Sequence, residues 1–259
     1  MRQSKLQADP WLEFTLSNGR CLRMKQVMSP RARRLRVTVC GSGILRLTVP
    51  PGARHSQLER FVGQHEDWLL AKLAELREAG VVRTPLRVGV PDRFRLRGEE
   101  LALVWRAASL PSVRLVDERR LEVRLPVLSR RQLPLAHGLI RSFLQGEARR
   151  DAARLLNRYV PRIGRAPLAL GVRPLRTLWG SLSATDRMSL DLALVLAPPP
   201  VFAYVVVHEL CHLHVRNHSP RFWARVEEHF PAMEAQRAWL REHGLALKAE
   251  AARLLGLEG

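Results

Sequence analysis

The pentapeptide His208-Glu209-Leu210-Cys211-His212 constrains this chain more than any other feature. Residues four apart share one face of a helix, so the imidazoles of His208 and His212 can reach a single metal ion. Glu209, beside the first of them, stands where a carboxylate can take a proton from an attacking water. The chain before the motif must then be helical. Val201-Phe-Ala-Tyr-Val-Val-Val207 is a continuous apolar run, as a helix buried around its whole circumference requires. Pro198, Pro199 and Pro200 precede it, where proline fits a helix start. The pattern predicts a Zn²⁺ site and hydrolytic chemistry.

A third ligand is expected downstream. His218 follows His212 by six residues, the spacing at which metzincin sites supply their last histidine. The glycine of that pattern is replaced here by Val215, which makes Asn217 the expected left-handed turning residue. Ser219-Pro220 reads as an N-cap and first turn, opening a second helix through Glu228. The rival ligands are His214, Glu227, Glu228, His229 and Glu234. His214 points off the ligand face, and the glutamates equally suit a solvated helix. Cys211 also lies away from the metal side and reads as a small buried hydrophobe.

These segments form a larger pattern. Trp179-Gly-Ser-Leu-Ser183, Met188-Ser-Leu-Asp-Leu192, Leu196-Ala-Pro-Pro199, Tyr204 to His212 and Asn217-His-Ser-Pro-Arg-Phe-Trp223 resemble the YgjP-like metallopeptidase family, itself related to the SprT-like and WLM zinc peptidases. Pro30 to Arg36, Leu47 to Pro51 and Phe61 to Trp68 look like that family's N-terminal half, so the resemblance covers nearly the whole chain. It implies a zinc peptidase holding one Zn²⁺ on His208, His212 and His218, with Glu209 as general base. Leu182 departs from the pattern, standing where a Cys is expected.

Around the motifs, the chain reads as α+β: an N-terminal antiparallel β-rich region over 1–127 with one long helix, then a zincin-like catalytic domain over 128–259. Residues 11–49 predict a meander of strands with turns at Asn18-Gly19 and Gly41-Ser-Gly43. His55 to Ala79 predicts one helix ending at Gly80. Four strands are expected between 86 and 126, and a long helix from Ser129 to Tyr159 with a soft spot at Pro134 and Gly138. No fixed-period repeat is visible. Cys21, Cys40 and Cys211 are odd in number and lack ligand spacing, which predicts reduced thiols. Together with the polar N-terminus and the absence of a membrane-length apolar run, they predict a cytoplasmic protein with no membrane partner.

Met188-Ser189-Leu190-Asp191-Leu192 is the candidate edge strand for pairing an extended polypeptide substrate, with Trp179-Gly180-Ser181 as a wall or turn of the cleft. A core strand with a packed Trp fits the same residues equally well. Arg187, Arg216 and Arg221 flank the motifs and can hold an oxyanion, carboxylate or phosphate, although a solvated role is the commoner fate of an Arg. The chain carries 43 Lys+Arg against 24 Asp+Glu, a formal +19. That excess predicts attraction to nucleic acid or nucleotides, densest at Arg31, Arg33, Arg34 and Arg36. An Arg-rich codon usage would raise the count as well. Three classes therefore remain open: a zinc peptidase, a metal-dependent nucleotide pyrophosphohydrolase, and a basic DNA-associated zinc protein. No feature of the sequence fixes an oligomeric state.

Overall fold

The structure, a computed structural model, describes residues 11–19, 21–39, 45–78 and 84–257. Cys40, the Gly41-Ser-Gly43 turn and the helix end at Gly80 lie outside them. The chain forms two compact units, Met1–Arg83 and Thr84–Gly259. The expected boundary at 127/128 therefore falls inside the second unit. The reason is packing: the sheet formed by residues 92–125 contributes Phe94, Leu103, Leu121 and Val123 to the same core as the motif helix.

The first unit holds β1 (Trp11–Thr15), β2 (Cys21–Met28), β3 (Arg36–Val39) and β4 (Leu45–Val49), then α1 (His55–Gln64) and α2 (Glu66–Glu78). Strand order is β1-β2-β4-β3, so the expected meander is corrected. β4 lies parallel to β2 and antiparallel to β3, instead of β3 following β2 across a hairpin. Alternation sends Phe14, Leu22, Met24, Leu45 and Leu47 to one face, where Leu58, Val62, Leu69 and Leu73 of the helices cover them. The expected single helix is two, interrupted at His65, whose backbone leaves the helical region.

The second unit opens with β5 (Asp92–Leu96), β6 (Glu99–Ala107), β7 (Ser112–Asp117) and β8 (Arg120–Leu125) in the order β5-β6-β8-β7. This repeats the topology of the first sheet strand for strand, including the parallel central pair. The repeat is one of backbone pairing, with no counterpart in the spacing of residues.

α3 (Leu133–Ile163) follows. It starts later and runs further than expected, because Pro134 sits in its first turn and Gly138 faces open space. Ala136, Ile140, Leu144, Ala148 and Ala152 form a buried stripe at every fourth residue. The stripe packs α3 against α4 (Pro199–Cys211) and α6 (Met233–Leu255).

α4 contains four β-branched valines between 201 and 207, each costing up to about 0.7 kcal/mol of helix propensity. Burial outweighs this, since each large apolar side chain taken from water contributes roughly 1.5–3 kcal/mol. Every residue from Val201 to Val207 is buried. Among the described residues, no helix is long and apolar enough to cross a membrane.

A third sheet joins β9 (Ala169–Arg173), β10 (Gly180–Leu182) and β11 (Arg187–Asp191) in the order β10-β11-β9. β11 is central, antiparallel to β10 and parallel to β9. The expectation that Met188-Ser189-Leu190 forms an edge is thus corrected. Both sides of that strand are hydrogen-bonded, and Met188 and Leu190 are buried. β10 is the edge strand beside α4.

Candidate metal centre

His208 lies in the last turn of α4 and His212 is its C-cap. The chain then turns through three short hydrogen bonds, Leu213 N to Leu210 O, His214 N to Cys211 O and Val215 N to Cys211 O. The reversal is spread over these residues. Asn217 is not left-handed; the non-glycine residues with positive φ among those described are Arg97 and Asp186. Ser219 occupies the N-cap of α5 (Pro220–His229), although its side chain makes no capping bond. His218 stands at the joint between the two helices.

The three imidazoles converge. One ligand atom from each of His208, His212 and His218 lies within 4.8 Å of the others, and the Nε2 atoms of His208 and His218 are 3.1 Å apart. Nδ1 of His212 lies 3.0 Å from the Val215 carbonyl, which can only accept, so Nδ1 carries the proton and Nε2 keeps its lone pair. Nδ1 of His208 lies 3.4 Å from the Tyr204 hydroxyl. The Phe222 ring stacks on His212 and the Trp223 ring on His218. Burial, helped by the neighbouring His212, His218 and Arg237, lowers the His208 pKa to about 3, so the ring is neutral and able to donate to a metal.

Glu209 is 4% exposed, and its Oε2 has no hydrogen-bond partner. Burial pushes its carboxyl up to about 8. A buried carboxyl oxygen left unpaired costs about 1–3 kcal/mol unless something occupies the space in front of it. Three converging imidazoles and a carboxyl with an unpartnered oxygen form a donor set that fits a Zn²⁺ with three protein ligands. Cys211 is fully buried and burial pushes its thiol up to about 12, as an inert packing residue requires. His214, Glu227 and Glu228 are exposed, Glu234 pairs with Arg237 at 2.5 Å, and none of these or His229 joins the cluster.

The flanking residues fall differently from their sequence reading. Gly180 abuts the acid: a Cβ there would lie 2.6 Å from Glu209 Oε1 and 2.7 Å from its Cγ. The Trp179 ring instead packs on α6, against Gly244 and with the Lys248 ammonium 4.4 Å from its centroid. Lys248 also pairs with buried Asp191 and donates to the carbonyls of Leu175 (2.8 Å) and Leu178 (3.0 Å). The Asp191 N–H donates to the Trp179 carbonyl at 2.8 Å. This latch fixes the approach to β10. Ser181 pairs with Ser189 in the sheet. Gly180→Ala should retain metal and lose activity by roughly 100-fold, because the Glu209 carboxylate must shift by about an ångström. Zinc content together with kcat checks it.

Arg216 is engaged in structure. It donates to the Ser183 carbonyl at 2.7 Å and pairs with Asp186, which also accepts from Arg165 at 2.5 Å. Arg165 donates in turn to the Leu213 carbonyl at 2.7 Å. Asp186, left-handed in the β10–β11 turn, thereby ties that turn to the loop whose Val215 carbonyl orients His212. Arg187 and Arg221 are exposed. If His212 holds a metal, Asp186→Ala should weaken its binding by less than the roughly 10- to 100-fold of losing a ligand's direct partner, because Asp186 acts through Arg165 and Arg216. Competition with a chromophoric chelator measures it.

Sequence reading placed Gly180 at the cleft without its contact to Glu209, and missed Tyr204 and Asp186. Tyr204 was within reach, since it lies one helical turn before His208; the role of Asp186 and the contact of Gly180 depend on approaches between distant segments.

Two solved structures are similar over part of the chain. A metallopeptidase zymogen of Pyrococcus abyssi, abylysin, is 26% identical over 35% of this chain and 93% of its own, with a TM-score of 0.32. A metallopeptidase zymogen of Methanocaldococcus jannaschii, jannalysin, is 19% identical over 35% of this chain and 91% of its own, with a TM-score of 0.31. No curated protein matches the sequence. Residues 33–243, which contain the converging histidines, Glu209 and the latched edge strand, match the YgjP-like metallopeptidase domain, and the chain belongs to that family.

Proposed function

We propose that the chain is a zinc-dependent peptidase with a zincin-like catalytic region in its second unit. The observation that carries this is the convergence of His208, His212 and His218 beside a buried, unpartnered Glu209 oxygen. A Zn²⁺ held by the three imidazoles, one per chain, supplies Lewis acidity at the scissile carbonyl and lowers the pKa of water. Glu209 accepts the proton of the attacking water and returns it to the leaving amine. The Val215 carbonyl holds His212 in the tautomer that presents Nε2.

Gly180–Leu182 takes the role expected of an edge. Among the described residues β10 pairs on one side only, so its other side offers backbone N–H and C=O groups to an extended polypeptide. Gly180 brings that backbone against Glu209 with no side chain between them. Arg216 is tied to Asp186, which removes one of the arginines a triphosphate site would need. Reduced cysteines fit a cytoplasmic location.

The test is chelation. An unfolded polypeptide such as casein should be cleaved, cleavage should stop with 1,10-phenanthroline, and one equivalent of zinc should restore it. Cleavage indifferent to the chelator would contradict the proposal. Phosphate release from nucleoside triphosphates in a parallel assay, with casein untouched, would replace the peptidase by a pyrophosphohydrolase.

A further inference from the structure

The two four-stranded sheets share one topology but carry opposite charge at the centre of their outer faces. Their parallel pairs close with the same bond, Ser29 N to Val49 O (3.0 Å) in the first and Ala108 N to Leu125 O (2.9 Å) in the second. Three residues back from Val49 and from Leu125 stand Arg46 and Glu122, which therefore occupy equivalent places. Glu122 is ringed by Arg106 (3.6 Å), Arg114 (3.2 Å) and Arg124 (2.7 Å), while Arg93 pairs with Glu100 at 2.5 Å. The second sheet thus sets a carboxylate at its centre, shared by three guanidiniums.

The first sheet inverts this centre. Arg46 faces Lys25 across one strand boundary and Thr38 across the other. Arg23 and Arg36 extend the same face, and Arg23, Arg36 and Arg46 are exposed. Glu13 stands opposite Arg23 in the ladder, so one carboxylate shares the face with Arg23, Lys25, Arg36 and Arg46, and none lies opposite Lys25 or Arg46. Like charges directly opposite one another destabilise a sheet, so this face stores repulsion that an external anion relieves.

The opposite face is filled by α1 and α2, so among the described residues of this unit neither helix covers the basic face. Trp11, beside Lys25, carries the Arg23 guanidinium 4.6 Å from its ring centroid. That stacked cationic plane suits a nucleobase, which sheet-based RNA binders also hold on aromatic side chains. At the end of the sheet where β3 begins and β4 finishes, Arg33 and Arg34 line a cavity of about 510 Å³ with Pro50, Pro51 and Gln57.

We infer that the outer face of the first sheet, carrying Trp11, Arg23, Lys25, Arg36 and Arg46, binds single-stranded nucleic acid. A flat face suits unpaired bases; a duplex major groove admits a helix or a two-stranded ribbon, which this face does not project. The binding surface is independent of the peptidase reading.

The experiment is fluorescence anisotropy of labelled oligothymidylate and oligouridylate with the full chain at several salt concentrations. Arg46→Glu, which places a carboxylate where the second sheet has Glu122, should weaken binding by at least about tenfold. Arg149→Glu, an exposed site on α3, should change it by less than about threefold. The combined R23Q, K25Q and R46Q chain should lower the salt slope by about 2, at roughly 0.7 for each phosphate no longer neutralised. Trp11→Ala should weaken binding with the slope unchanged. Melting curves identify any variant that fails to fold, and Arg46→Gln serves if Arg46→Glu does. Equal losses at Arg46 and Arg149 would overturn the inference in favour of diffuse charge. Equal affinity for a duplex, or binding to anionic vesicles without binding to oligonucleotide, would overturn it too.

Discussion

On the proposed mechanism, Glu209→Gln should lower peptide hydrolysis by about 10²- to 10⁴-fold and leave the metal bound, because general-base transfer contributes on that scale and the three imidazoles are untouched. Glutamine fills the same volume but cannot take a proton. The loss belongs to kcat, and zinc titration of the variant should match the wild type. Stability should move the other way in metal-free protein. Burial raises the Glu209 carboxyl from its ordinary 4.5 to about 8, so folding retains a proton that the unfolded chain releases. Metal-free wild type therefore loses stability relative to Glu209→Gln as pH rises from about 4.5 to 8. Full hydrolysis by the variant would mean that another group takes the proton.

His218→Ala should weaken zinc binding by more than about 100-fold, beyond the range for losing an outer partner, and activity should fall with it. His218 is the proposed ligand whose removal isolates metal binding from folding. It is exposed, whereas His212 is 9% exposed and stacks on Phe222, so His212→Ala would also open the core. The melting temperature of metal-free His218→Ala should stay close to that of metal-free wild type. Unchanged affinity would move the third ligand to one of the alternatives, of which His229 and Glu234 lie on the chain following α5's start. Chelator competition and circular dichroism separate these outcomes.

What the sequence discloses depends on whether the cause is local. α4 is legible because an unbroken apolar run ending in two histidines one turn apart has one economical conformation. His218 is legible because a six-residue spacing limits how far the chain can travel from His212. β11 shows its alternation in Met188 and Leu190, but alternation reports which face is buried and says nothing about how many neighbours a strand has. The edge therefore went to β11 when it belongs to β10. Gly180 carries no signal of its own; its meaning comes from Glu209, in another element, approaching too closely for a Cβ.

The two sheets show the same limit on a larger scale. Each strand is locally evident, yet the parallel pairing of β2 with β4 and of β6 with β8 joins segments separated by an intervening strand. A hairpin turn can be read from a few residues, and a parallel pair cannot. The unit boundary followed from that, since the second sheet's allegiance is decided by Leu103, Leu121 and Val123 packing into the core that surrounds α4. Asp186 is hidden for the same reason, because its role lies in joining Arg165 and Arg216 across the fold.

X-ray absorption at the zinc edge of the purified, zinc-loaded protein addresses the central claim most directly. Three imidazole nitrogens and a light oxygen or nitrogen atom at about 2.0–2.1 Å are predicted, with the imidazole contribution reduced in His218→Ala. A sulfur scatterer at about 2.3 Å, which would bring in a cysteine, or a spectrum unchanged in His218→Ala, would contradict the site.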